Sequence, residues 1–303
     1  MPTEKRPNLF IVGAQKSGTS ALAGWLSQHP QVCMSFPKEP GYLAFGDAGY
    51  PFPDSSGRLA PATRYVVTSY EKYLALFADA TAEQHVLGEA STWYLVTPGM
   101  AQKLRDYSPD ARIIIILRNP VERAYSAWCH ARGDGVESCE SFRESLALEE
   151  ERGEPEFLLR YHRMGRYADD VRSYQEAFPA DRLLILFYDD MRADPAAFWH
   201  GVCTFLDIDA DIEPPYERRY NRSGQPRSRL LQGVLRHYHL KRILRKVIPH
   251  NLGLLIKDRL EDINLRSLPP MDAATRDELR AYYREDVQTL SRLTGRDLGA
   301  WLE

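Results

Sequence analysis

Apolar residues fall along this chain in two alternating textures. Short continuous runs occupy positions 9–13, 86–89, 113–117 and 183–188, with a weaker one at 32–35. Between them, apolar positions recur at helical spacing over 19–28, 70–78, 99–106, 120–131, 168–177 and 195–206. The run Ile113-Ile114-Ile115-Ile116-Leu117 has no polar alternate, which is what a strand buried on both faces requires. Its alternation with helices predicts parallel strands covered on both sides, a three-layer α/β domain. Two stretches break the rhythm, a Pro/Gly/Ser-rich one at 46–64 and a polar one at 132–165. Long irregular insertions in such domains serve as lids or binding loops, here for an acceptor. After Tyr220 the strand pattern stops, and 220–303 reads as mostly helical, ending in an amphipathic run over 273–293.

Composition adds limits rather than detail. A chain of 303 residues, 44% hydrophobic and 27% charged, holds enough apolar material for one large domain spanning 1–303. Its formal charge of -3 is too small to predict a polyanion partner from net balance, so anion recognition must come from local clusters. Cys33, Cys129, Cys139 and Cys203 are widely spaced and form no C-x-x-C pair, which argues against zinc and a disulfide framework and predicts a reducing, cytoplasmic setting. The opening MPTEKRPNLFIVG is too charged for a secretory signal, and no run approaches the ~20 apolar residues of a membrane span.

Candidate chemistry begins where the first strand ends. The octapeptide GAQKSGTS, Gly13 to Ser20, approaches the triphosphate-binding pattern G-x-x-x-x-G-K-[ST], but Lys16 precedes Gly18, and Thr19 stands where the pattern has its lysine. A strand, a glycine turn and a helix opening at Thr19 and Ser20 aim backbone N–H groups and a helix dipole at one point, which favours an anion. Lys16 can reach over that anion, and Ser17, Thr19 and Ser20 can donate hydroxyls to it. A plain strand-to-helix turn capped by Ser and Thr is the alternative. The strongest strand ends in Arg118 rather than in the acidic residue that helps to hold magnesium in triphosphatases. It continues Asn119-Pro120, an N-cap and a first helical position, with Ser126 two turns in. This predicts a second phosphate rather than a metal, although Arg118 could also pair with a surface carboxylate.

At this point QKSGTS and LRNPVERAYSAW resemble the 5′-phosphosulfate loop and 3′-phosphate site of sulfotransferases that use 3′-phosphoadenosine-5′-phosphosulfate (PAPS). The resemblance is strongest to the branch containing heparan-sulfate sulfotransferases and their bacterial relatives. It continues through PKEPGYLAF, LGEASTWYL, FPADRLLILFYDDM, NRSGQPRSR and YREDVQTLSRLTGRDLGAWL, nearly the whole chain. It implies a P-loop-type α/β fold, PAPS as co-substrate and no metal. It also implies that Lys16 contacts the oxygen linking sulfate to phosphate, that residues 17–20 cradle the 5′-phosphate, and that Arg118 and Ser126 hold the 3′-phosphate. A sulfuryl group carries less charge than a phosphoryl group, so positioned donors can replace Mg²⁺.

The acceptor, a hydroxyl or an amine of a small molecule, glycan or lipid, must lose a proton, which calls for a base. Glu39 in PKEPGYLAF matches the catalytic glutamate of the heparan-sulfate branch, and His130, one turn beyond Ser126, is a second candidate; Glu89 is the next to test. The resemblance places Ser223, Gly224, Arg227 and Arg229 against the adenosine or 3′-phosphate. One departure is Ala90, where the branch carries a lysine in E-K-[ST]-P-x-Y; that puts a sulfated polysaccharide acceptor in doubt. The basic amphipathic stretch 230–248 would attract an acidic acceptor or an anionic membrane surface, while the scarcity of interleaved aromatics argues against nucleic acid. Two rivals remain, a P-loop kinase or triphosphatase and a non-catalytic nucleotide-binding module.

Overall fold

The computed structural model describes residues 5–46, 66–152, 159–216, 225–226, 265–266 and 270–303. Its centre is a five-stranded sheet of β1 (Leu9–Gly13), β2 (Val32–Met34), β3 (Val86–Ala90), β4 (Arg112–Leu117) and β5 (Leu183–Phe187). The strand order is β2-β3-β1-β4-β5, and every pairing is parallel. The side chains of β4 alternate between two cores: Ile113, Ile115 and Leu117 enter one, Ile114 and Ile116 the other. Phe10 and Val12 likewise separate from Leu9 and Ile11 on β1. Period-two burial on both faces is why these strands contain no polar alternate.

The long helices coincide with the periodic stretches. They are α1 (Thr19–Leu26), α5 (Met100–Tyr107), α6 (Pro120–Asp134), α8 (Ala168–Ala177), α10 (Pro195–Leu206) and α11 (Ala273–Thr294). Asn119 caps α6 by accepting from Val121 N at 3.0 Å, and Asp194 caps α10 by accepting from Ala197 N at 2.9 Å; in both, proline takes the first helical position, which needs no N–H donor. Helix α11 buries Leu279, Tyr283, Val287 and Leu290, one stripe at helical spacing. Its Asp286 accepts the Tyr167 and Ala168 amides at 2.9 and 3.3 Å, closing the N-terminus of α8.

Three expectations need correction. The polar stretch 132–165 is not simply irregular: α6 runs on to Asp134, and α7 (Phe142–Ala147) follows. Its polarity is partly internal, because the buried Glu137 carboxylate accepts Arg152 Nη2 at 3.0 and 2.8 Å and the Tyr161 hydroxyl at 2.9 Å. The strand pattern does not stop at Tyr220, since Gln225–Pro226 pairs antiparallel with Leu265–Arg266 as β6 and β7. Four short helices, α2 (Tyr42–Phe45), α3 (Tyr70–Ala75), α4 (Trp93–Val96) and α9 (Tyr188–Ala193), either escape a periodicity argument or end earlier than it predicts. The loop at 47–64, the basic stretch 230–248 and Ser223, Gly224, Arg227 and Arg229 lie outside the described residues.

Candidate active site

The carboxyl ends of all five strands converge on one edge of the sheet, where the strand order reverses around β1 and open α/β sheets bind ligands. Lys16 follows β1, Glu39 follows β2, Thr92 follows β3, Arg118 follows β4 and Tyr188 follows β5.

The loop after β1 is tight. Gly18 has φ 98, and a Cβ there would come within 3.0 Å of both Met191 Sδ and the Tyr188 ring; only glycine fits without strain. As N-cap of α1 it offers no side-chain hydrogen bond, and a helix N-terminus without a side-chain cap is suited to an anion. Ser17 and Thr19 are buried, whereas Gln15, Lys16, Gly18 and Ser20 are half-buried, so Lys16 is the one cationic side chain of the loop. Lys16 itself has φ 67, a left-handed conformation that a side-chain-bearing residue adopts at a cost of about 1–3 kcal/mol. Burial lowers its pKa to about 8; the Asp134 carboxylate opposes this, while Arg118 and Lys38 push the same way.

Arg118 ties the two sequence motifs together. Its Nη1 donates to the Lys16 carbonyl at 3.1 Å, and its guanidinium lies over the Tyr188 ring, 4.9 Å from the centroid. The surface-carboxylate alternative is not what these contacts describe. The buried Tyr167 hydroxyl donates to the Arg118 carbonyl at 3.1 Å, and Asn119 Nδ2 donates to the Trp301 carbonyl at 3.3 Å. The mouth of α6 is therefore held from α8 and from the C-terminal segment. The acidic pair after β5 is engaged there too: Asp189 accepts Trp301 Nε1 at 2.9 Å and Asp190 accepts Arg296 Nη2 at 2.6 Å. Ser126 is half-buried on α6.

The carboxylate side of the site is built by β2 and β3. Glu39 has φ 62; its amide donates to the Ala90 carbonyl at 3.0 Å, its Oε1 accepts Lys38 Nζ at 2.7 Å, and its Oε2 accepts Thr92 Oγ1 at 3.1 Å. His130 sits on α6 with Nε2 3.7 Å from Asp134 Oδ2, the carboxylate whose charge reaches Lys16. Glu89, by contrast, is wholly buried. It accepts the Tyr73, Tyr94 and Ser91 hydroxyls at 2.6, 2.9 and 3.2 Å, and burial raises its pKa to about 7.

Sequence reasoning missed Thr92, Tyr167 and Asp134. Asp134 had a signal, its place four residues after His130 on one helix face; Thr92 and Tyr167 become site residues only through tertiary contacts.

The helix mouths after β1 and β4 are thus joined by Arg118 at the carboxyl edge of a parallel α/β sheet, the edge where such folds bind ligands. Residues 7–212 match the sequence profile of the Sulfotransferase family, more than half of the chain, and the chain belongs to that family. It is similar over 99% of its length to a sulfotransferase of Alicyclobacillus acidocaldarius, with 32% identity, a TM-score of 0.74 and all of that chain covered. Among curated proteins it is 28% identical over 235 residues, 75% of this chain, to a bifunctional heparan sulfate N-deacetylase/N-sulfotransferase 1 of Caenorhabditis elegans, and covers 25% of that protein. It is 24% identical to heparan sulfate glucosamine 3-O-sulfotransferase 6 of Mus musculus, covering 97% of this chain and 73% of the relative. The chain thus spans about a quarter of the length of its bifunctional relatives.

Proposed function

We propose that this sulfotransferase takes its sulfuryl group from PAPS and delivers it to a hydroxyl acceptor, with Lys16 and the residue 17–20 backbone at the 5′-phosphosulfate, Arg118 and Ser126 at the 3′-phosphate, and Glu39 as the base. The observation that carries this reading is the Arg118–Lys16 hydrogen bond of 3.1 Å, which puts two cationic helix mouths side by side, as a nucleotide with phosphates on both 5′ and 3′ positions needs. The residues fit such a donor: the glycine-tight turn offers uncapped backbone to one phosphate, and Arg118 offers an always-charged fork to another.

PAPS supplies a sulfuryl group already activated by a phosphate leaving group. The protein's part is positioning and charge. Lys16 stabilises negative charge on the departing side, where a fixed cation acts without reorganising. Glu39 takes the acceptor proton, with Thr92 and Lys38 fixing its two oxygens. The chain's Ala90, in place of the lysine of the heparan-sulfate branch, favours an acceptor with less negative charge than a sulfated glycan.

Arg118→Ala tests the nucleotide assignment. A charge-assisted contact to phosphate exists in the ground state, so losing it is expected to weaken PAPS and 3′-phosphoadenosine-5′-phosphate together by about 10–100-fold. Adenosine 5′-phosphate, which lacks the 3′ group, should lose little. Isothermal titration of the three nucleotides reads this directly, and unchanged affinity for the 3′-phosphorylated pair would dismiss the site.

A further inference from the structure

Glu39 lies on a short turn with two residues of positive φ, Glu39 at 62 and Gly41 at 63. A strained turn of this kind persists only when its surroundings hold it. The surroundings here are the end of β3 and the first residues of α4. The Glu39 amide donates to the Ala90 carbonyl at 3.0 Å, the Gly41 amide to Ser91 Oγ at 3.2 Å, and the Leu43 amide to the Tyr94 hydroxyl at 3.1 Å.

Two of those three acceptors are hydroxyls, which can turn and donate instead. What prevents this is Glu89, since each hydroxyl has one proton, and those of Ser91 and Tyr94 are both given to its carboxylate, at 3.2 and 2.9 Å. Only lone pairs are left to face Gly41 and Leu43. Tyr73 supplies a third donor at 2.6 Å, so a carboxylate with no solvent exposure is satisfied by hydroxyls alone. A buried acid with its oxygens occupied in this way cannot reach an acceptor.

We propose that Glu89 is a positioning residue for sulfuryl transfer: its carboxylate fixes the proton direction of Ser91 and Tyr94, and these hydroxyls hold the 39–43 turn, and with it Glu39, against the end of β3. The inference rests on the assignment of Glu39 as base. Small displacements of a reacting group cost rate steeply, about 10²-fold for 1 Å, so the effect belongs to turnover rather than to nucleotide binding.

The test compares Glu89→Gln, Glu39→Gln and the double variant, in transfer rate and in affinity for 3′-phosphoadenosine-5′-phosphate. A carboxamide keeps the shape but presents an NH2 where a hydroxyl now donates, which forces one hydroxyl to turn. Glu89→Gln is expected to slow transfer to an aliphatic alcohol by about 10–100-fold and transfer to an acidic phenol less. Nucleotide affinity should stay within about twofold, and adding Glu89→Gln to Glu39→Gln should cost less than about threefold, because residues acting through one group are not additive. Should Glu89→Gln fail to fold, the Ser91→Ala/Tyr94→Phe pair removes the two hydroxyls, keeps the carboxylate and carries the same expectations. A fast Glu89→Gln beside a slow Glu39→Gln overturns the positioning role alone. An equal rate loss in both backgrounds overturns it too, as would a matching loss of nucleotide affinity. A fast Glu39→Gln removes the base assignment first and takes the inference with it.

Discussion

Lys16→Ala is expected to slow sulfuryl transfer by about 10²–10³, the loss that follows when one preorganised donor to a developing charge is removed. Nucleotide affinity should fall much less, because Arg118 and the 17–20 backbone remain. The contrast with Arg118→Ala is the informative part: one variant loses mainly turnover, the other mainly binding. Single-turnover rates with saturating PAPS separate the two, and a Lys16→Ala rate within about threefold of wild type would remove Lys16 from the mechanism. The same residue carries a pH signature. With its pKa lowered by burial to about 8, free enzyme holds the ammonium below that pH and loses it above. The kcat/KM for donor should therefore fall on the alkaline side from about pH 8, since this ratio reports ionisations of the free enzyme. Lys16→Arg, charged throughout, should lack that limb whatever rate it retains.

Glu39→Gln is expected to leave nucleotide affinity near wild type and to cut transfer by about 10²–10⁴, the range for a positioned general base. The amide can still accept from Thr92 and keep its place on the turn, so the loss reads basicity rather than shape. It should be largest for an alcohol of high pKa and smaller for an acidic phenol, which gives up its proton readily. A nearly fully active Glu39→Gln with an aliphatic alcohol, paired with a dead but nucleotide-binding His130→Ala, would move the role to His130 and its partner Asp134.

Much of the architecture is written in local pattern. Strands β1 and β4 are legible because both of their faces are buried, which leaves a continuous apolar run, α6 because Asn119-Pro120 announces its start, and α10 because its apolar positions recur at helical spacing. Lys16 and Arg118 are legible for the same reason: each follows a readable strand and adjoins a readable helix. Helices of four to six residues, such as α2 and α9, are too short to show a 3.6-residue period and are held by their neighbours. The polar stretch 132–165 misleads because a buried Glu137–Arg152 pair has the composition of a solvated loop. Glu89 sits within a strand beside apolar residues, and its carboxylate finds donors only when Tyr73 arrives from another element to join Ser91 and Tyr94 from the turn after the strand. Such a network has no one-dimensional signature.

A sulfuryl carried by PAPS and a phosphoryl carried by ATP are told apart by which label reaches the acceptor. The most direct measurement runs [³⁵S]PAPS and [γ-³²P]ATP with Mg²⁺ in parallel, against one panel of alcohols, phenols and amino sugars and an extract of the cells that make the protein. ³⁵S is expected in an acceptor, with 3′-phosphoadenosine-5′-phosphate released in equal amount, and no ³²P transfer. Transfer of ³²P with none of ³⁵S would contradict PAPS as the donor.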